Sequence, residues 1–243
     1  MNLLEIEDVG KRFGGVVAVD RCSFGVPEGA VMGLIGPNGS GKTTLFNLIT
    51  GFARPDSGSM TYDSRRIGGL RPDQVSRLGI GRTFQLARIF PRLTVFQNLL
   101  VAVRRPSLRR LISSARSTHD TKRAGELLEF LGLARLAHQP AGRLSFGQQK
   151  LLELGAAIMA RPRLVLLDEP AGGVNPVVLE AIAAHIRELN AAGTTFLIVE
   201  HNMGFVTELC DSVVVLDHGS RIAQGTPAEV SSNPLVLDAY LGS

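Results

Sequence analysis

The sequence predicts an α/β fold with a mainly parallel sheet, an antiparallel β region near its N-terminal end and an α-helical insertion in its middle. Three observations carry this reading. Short apolar runs at Val31–Ile35, Leu164–Leu167 and Thr195–Val199 alternate with helical patterns, and strands covered on both faces read as continuous apolar runs. Before residue 30, Leu4-Glu5-Ile6-Glu7 and Val17 to Phe24 alternate loosely, as antiparallel strands with one exposed face do. Between about residues 86 and 160 no strand run intervenes, and Glu126–Leu131 and Gln149–Met159 follow a helical period. Residues 1–85 and 161–243 thus form the two parts of an α/β core, and about 86–160 a helical subdomain, within one domain of 243 residues.

The first element that carries chemistry follows the Val31–Ile35 run. Gly36-Pro37-Asn38-Gly39-Ser40-Gly41-Lys42-Thr43-Thr44 fits G-x-x-x-x-G-K-[ST] in full. An apolar strand precedes it and Leu45-Phe46-Asn47-Leu48-Ile49 continues as a helix, the context a phosphate-binding loop requires. Glycines let the backbone take positive φ and approach phosphates closely, so that successive N–H groups form an anion nest. The helix N-terminus adds positive potential. Lys42 is placed to reach the β- and γ-phosphates, and the Thr43 hydroxyl to ligate Mg²⁺. A glycine turn capping an ordinary helix is the rival reading, and it leaves Lys42 unexplained. The core is therefore read as a P-loop NTPase core.

Asp168 and Glu169 end the Leu164–Leu167 run. In an open α/β sheet that is the carboxyl end of a strand, where ligands bind. Consecutive strand residues point to opposite faces, but the backbone turns at a strand end, so both carboxylates reach one site. Asp168 suits the Mg²⁺ role and Glu169 suits orienting or deprotonating the attacking water. The alternative is an acidic N-cap cluster before Pro170.

Composition narrows the function classes. The apolar share is 44% and no stretch approaches 18 unbroken apolar residues, so no transmembrane helix is expected. The N-terminus shows no basic region followed by a long apolar run, so no signal peptide is expected either. Cys22 and Cys210 match no metal spacing and read as buried small hydrophobes. A net charge of +4 does not argue for nucleic acid. Its distribution is uneven, since Arg104, Arg105, Arg109, Arg110, Arg116, Lys122 and Arg123 crowd a stretch whose one acid is Asp120. That stretch reads either as a solvated arm or as a face toward anionic lipid or an acidic partner.

Leu144-Ser145-Phe146-Gly147-Gln148-Gln149 resembles the signature motif of ATP-binding cassette (ABC) proteins, with Phe146 where glycine is more usual. Ser145 and Gln148 also fit a helix capping box, and the two readings are compatible, because a capped helix N-terminus presents amide donors to an anion. Other landmarks fall in the order of that family. By resemblance, Phe13 is the aromatic that stacks on adenine, with Val19 beside it. Gln85, after Gly81-Arg82-Thr83-Phe84, is the glutamine that links the nucleotide site to the helical subdomain and reaches the metal. His201 is the switch histidine at the γ-phosphate. Lys11-Arg12-Phe13-Gly14-Gly15, Ile80–Gln85, Glu169–Pro176, Glu200-His201-Asn202-Met203 and Ala239-Tyr240-Leu241-Gly242 together resemble the branched-chain amino acid importer group, on the side of its larger ATPase subunit. Asn175 stands where cassettes generally carry aspartate, and Asn202 where an acid follows the histidine.

The resemblance implies a dimer in which Ser145, Gly147 and Gln148 of one subunit complete the ATP site that holds Lys42, Thr43, Gln85, Asp168, Glu169 and His201 of the other. It implies ATP and Mg²⁺ as ligands and a second ATP-binding subunit, identical or different. It also implies integral-membrane permease subunits and an extracytoplasmic substrate-binding protein, with the chain peripheral on the cytoplasmic face of the membrane. Urea or amide import, lipopolysaccharide export and cofactor assembly use similar cassettes. DNA repair is disfavoured because Gln85 to Ser145 is too short and irregular for a long coiled coil, and translation because the chain has one phosphate loop.

Overall fold

In the computed structural model, which describes residues 1–84, 89–103 and 118–241, the strands form two sheets. Strand β1 (Asn2–Phe13) buries Leu4, Ile6 and Val9 and exposes Glu5 and Glu7, the period-2 pattern of a half-buried strand. It pairs antiparallel with β2 (Val16–Pro27), Leu4 opposite Val26, and on its other side with β4 (Ser57–Tyr62), Ile6 opposite Met60. The short β5 (Arg65–Arg66) completes the order β2-β1-β4-β5.

The second sheet runs β10-β9-β3-β8-β7-β6. Strands β3 (Val31–Ile35), β6 (Ile80–Arg82), β7 (Leu164–Asp168), β8 (Thr195–Val199) and β9 (Ser212–Asp217) pair in parallel, while β10 (Ser220–Gly225) is antiparallel to β9. Every residue of β3, β7 and β8 is buried. Strand alternation explains the unbroken apolar runs, because successive residues feed two separate cores. Met32, Leu34, Leu164 and Leu166 join Leu4, Ile6 and Phe46 between the sheets, whereas Val31, Ile35, Val165 and Leu167 face helices on the opposite side.

Helix α1 (Lys42–Ile49) follows β3, and α2 (Pro72–Leu78) precedes β6. Between β6 and β7 the described elements are helical: α3 (Val95–Val101), α4 (Thr118–Phe130), two 3₁₀ turns and α5 (Phe146–Met159). Gly155 lets these helices close up, since a Cβ there would lie 2.6 Å from Leu131 and 3.1 Å from Leu99. Helices α6 (Pro176–Ala191) and α7 (Met203–Leu209) return the chain to β8 and β9, and α8 (Pro227–Ser231) and α9 (Pro234–Leu241) end the described chain.

Of the basic stretch, Arg104, Arg105, Arg109, Arg110 and Arg116 lie outside the described residues. Lys122 is exposed on α4 beside Glu126, and Arg123 donates to the Ile158 carbonyl near the end of α5. Burial pushes the Cys22 thiol up to about 11 and Cys210 to about 12, so both stay protonated and pack as apolar groups. No helix among the described residues is long and apolar enough to cross a membrane.

Candidate active site

Parallel pairing sets the C-terminal ends of β3, β8 and β7 side by side, with Leu34 opposite Val199 and Val199 opposite Asp168. The phosphate loop leaves β3, Asp168 and Glu169 end β7, and His201 follows β8, so three segments distant in sequence share one rim of the sheet.

The loop's backbone requires its glycines. Gly36, Gly39 and Gly41 have φ of 146°, 81° and 103°. A Cβ on Gly36 would lie 2.0 Å from the Leu216 carbonyl oxygen, and one on Gly41 2.3 Å from that of Ala18. Gly41 is the N-cap of α1 and brings no side chain, and no acid lies in the first turn, so the first amides of α1 remain donors for an anion. Lys42 is buried, and its Nζ donates to the carbonyls of Gly36 (2.9 Å) and Pro37 (2.8 Å) and to Ser40 Oγ (3.3 Å). Burial lowers its pKa, opposed by the charges of Glu169 and Asp168, which places both carboxylates in the electrostatic reach of the ammonium. Asn38, Gly39 and Thr43 are exposed and Ser40 is buried.

Asp168 is buried, and burial raises its pKa, while Arg82 pulls it down through a 3.1 Å contact to Oδ2. Arg82 also donates to Asn47 Oδ1 (2.8 Å) and Thr50 Oγ1 (2.9 Å). Glu169 carries the turn out of β7 with φ of 49°, a left-handed conformation unusual for a residue with a side chain. That turn brings its carboxylate to His201, with Oε1 and Nε2 3.0 Å apart. The buried Glu200 braces both loops, accepting from the amides of Ala171 (2.5 Å), His201 (2.9 Å) and Asn202 (3.1 Å).

The capping box at Ser145 is formed, with Ser145 Oγ accepting from Gln148 N (3.3 Å) and Gln148 Oε1 from Ser145 N (2.9 Å). Ser145 is exposed, and acting as acceptor in the cap leaves its O–H available to donate. Gly147 packs on Val178, where a Cβ would meet it at 2.9 Å. Phe13 is 54% exposed and Val16 67% at the β1–β2 turn, and β2 passes the loop at Ala18. Val19 does not share that surface: it is 1% exposed and packs in the core between the sheets. Val16 and Val17 keep the exposed surface at this end of β2, and the burial of Val19 begins its inward-facing part. Gln85 lies outside the described residues. Asn175 and Asn202 are N-caps, of α6 through Val178 N (2.9 Å) and of α7 through Phe205 N (3.1 Å). At both positions a short side-chain acceptor meets the local need.

The family model described as ABC transporter matches residues 19–172, and that described as branched-chain amino acid ATP-binding cassette transporter matches residues 220–243. The chain belongs to the ABC transporter family. It is 39% identical to the high-affinity branched-chain amino acid transport ATP-binding protein LivG of Salmonella typhimurium, over 99% of this chain and 98% of that protein. It superposes on the ADP conformation of MJ1267, an ATP-binding cassette of an ABC transporter, with a TM-score of 0.90, 38% identity and all of both chains covered. It also resembles the cassette MJ0796, solved as a dimer in a post-hydrolysis state with ADP and Pi, with a TM-score of 0.79 and 25% identity over 92% of this chain and 98% of that one.

Several site residues of this cassette escaped the motif reading. Arg82, Lys150, Glu153 and Glu200 are charged and nearly or wholly buried, and buried charges need partners. Lys150 and Glu153 interrupt the apolar face Leu151-Leu152-Leu154 of α5, a signal visible in the sequence though its meaning is not. Lys150 Nζ donates to the Glu169 carbonyl (3.3 Å), and Glu153 Oε1 accepts from Phe84 N (2.8 Å). Leu235, Asp238 and Ala239 of α9 line one pocket with Pro37, Asn38, Gly39 and Ser40, which brings the segment matched at 220–243 onto the phosphate loop.

Proposed function

We propose that this cassette powers an importer for branched-chain or related amino acids, and that it does so as a dimer on the cytoplasmic face of the membrane. Cargo rests on one observation: the branched-chain cassette model matches residues 220–243 in a chain aligned to LivG over nearly its full length. In this reading residues 1–85 and 161–243 are the catalytic core and about 86–160 the helical subdomain. Permease subunits, a second cassette and an extracytoplasmic binding protein complete the transporter, and nucleic acid is no partner.

The chemistry follows from the rim. Amides of residues 39–43 and the Lys42 ammonium bind the β- and γ-phosphates, with Phe13 against the adenine. The exposed Thr43 hydroxyl and the Asp168 carboxylate are hard oxygen donors, joined by Gln85. No cluster of three His, Cys, Asp or Glu exists among the described residues. That set fits Mg²⁺, which keeps waters and substrate phosphates as most of its ligands. When bound, Mg²⁺ neutralises charge on the transferred phosphoryl group. Glu169 orients the attacking water and accepts its proton, while His201, 3.0 Å from the Glu169 carboxylate, aims it and contacts the γ-phosphate. Ser145, Gly147 and Gln148 donate to the γ-phosphate bound by the second subunit, so ATP favours the closed dimer and hydrolysis releases it. A cavity of about 330 Å³ lies between core and helical region, lined by Phe52, Val75, Arg82, Phe84, Ala156 and Pro162.

The test is uptake in cells whose only copy is Glu169→Gln. Loss of radiolabelled leucine, isoleucine and valine uptake supports the reading, while leucine uptake at the wild-type rate with urea uptake lost would replace the cargo.

A further inference from the structure

The signature helix α5 bears two buried charges that its contact with a second subunit's ATP does not use. Phe146, Lys150 and Glu153 follow at i, i+4 and i+7 and therefore share one helix face. That face is turned to the chain's own active site. The Phe146 ring packs on Gly173, where a Cβ would meet it at 3.0 Å. Lys150 Nζ reaches the Glu169 carbonyl at 3.3 Å, and Glu153 takes the Phe84 amide at 2.8 Å. A small cavity of about 10 Å³ lies beside Lys150, walled by Thr83, Leu154, Leu167, Pro170 and Ile182. It has room for one water at most, so the ammonium depends on protein acceptors.

We infer that Lys150 is a positioning residue for hydrolysis, holding the left-handed turn of Glu169 in its own subunit from the signature helix. Three bonds define that turn. The Glu169 amide donates to the Val199 carbonyl (2.9 Å), and the Glu169 carbonyl accepts from Gly172 N (3.1 Å) and from Lys150 Nζ. A non-glycine residue at φ of 49° is strained and persists only where its surroundings over-determine it. The charged donor is the one of these three that comes from outside the strand-end loops, and it strengthens the hold because charge-assisted hydrogen bonds are the strong ones. Without it, the carbonyl is free to rotate toward a right-handed conformation, which swings the carboxylate away from His201 and from the water it must orient. Nucleotide affinity is set by the phosphate loop and the buried Lys42, so it stands apart from this effect. Lys150 is also near enough to Asp168 for its charge to oppose, in small part, the rise that burial causes there. One helix thus offers its N-terminus to the opposing subunit's ATP and its side to its own general base.

The inference rests on the reading of Glu169 as that base, and the test separates the two. Lys150→Met keeps length and removes the donor, and Lys150→Arg restores a cation. In Lys150→Met we expect kcat to fall about tenfold while the ATP concentration giving half-maximal thermal protection moves by less than about twofold. Sedimentation with ATP and Mg²⁺ should show the variant accumulating the ATP-bound dimer, as slowed hydrolysis does and a merely loosened helix does not. Lys150→Arg should recover most of the rate. In a Glu169→Gln background, Lys150→Met should cause no further loss, because both act through one group. Should Lys150→Met fail to fold, Lys150→Gln gives the same split through a shortened donor. An unchanged kcat, a parallel loss of ATP affinity, or a multiplicative loss on top of Glu169→Gln would overturn the role of Lys150. Wild-type hydrolysis by Glu169→Gln alone would instead overturn the parent reading.

Discussion

Arg82→Met tests the buried centre on which the metal carboxylate depends. The side chains of Arg82 and Asp168 are each 6% exposed and stand 3.1 Å apart. Methionine fills similar length but leaves Asp168 as a buried carboxylate without its guanidinium, and leaves Asn47 Oδ1 and Thr50 Oγ1 without that donor. The Phe84, Phe46 and Phe52 rings, 4.8, 5.5 and 5.8 Å from the guanidinium carbon, lose their cation. Removing one partner of a buried pair costs about 3–5 kcal/mol, far more than an exposed pair. For a chain of this size that is a fall in Tm of roughly 6–20 °C. Urea unfolding at fixed m-value and calorimetry both measure it. The double variant Arg82→Met with Asp168→Asn should recover about half of the loss or more, because the uncompensated charge is gone. A loss below about 1 kcal/mol, the scale of a surface ion pair, or a double variant no better than the single one, would refute the argument.

Three further outcomes are expected. Gly41→Ala forces a Cβ to 2.3 Å from the Ala18 carbonyl at φ of 103°, whereas Gly39→Ala meets nothing within 4 Å and bears only the strain of φ 81°; in thermal unfolding without nucleotide, Gly39→Ala should cost about 1–2 kcal/mol and Gly41→Ala distinctly more. Ser145→Arg should keep ATP binding yet lose hydrolysis, and mixing it with Lys42→Ala should restore partial activity through the one intact composite site; no rescue between folded, associating proteins would argue against a shared site, with melting curves controlling for the roughly 1 kcal/mol a lost cap costs. His185, whose ring lies 4.4 Å from that of Phe130, is held below its ordinary value of 6.5 by burial. Below that pH the unfolded chain binds the proton first, so stability falls as pH drops; His185→Phe should flatten the decline in urea midpoint between about pH 7 and about pH 5.5, and an unchanged decline would show that other groups cause it.

Contiguous patterns were legible without coordinates. The phosphate loop could be read because its glycines, lysine and threonine are adjacent, and the local backbone alone dictates their types. The capping box at Ser145 and the two-faced strands were equally local, since hydrogen bonds within four residues and a period of 2 need no distant partner. The placement of Asp168 at a strand end followed from the apolar run before it. Tertiary structure decided what was not local. The inward turn of Val19 depends on β-sheet register, which a single strand does not declare. The glutamate turn at Glu169 was anticipated, but not its φ of 49° or the lysine that meets its carbonyl. The asparagines at 175 and 202 looked like lost charges until their helices showed them as caps. Arg82 with Asp168, Lys150 with Glu169 and Glu153 with Phe84 are separated by 86, 19 and 69 residues. The physical reason is that a buried charge announces only that it needs a partner. Which partner it finds is set by the packing of strands and helices far apart in the chain.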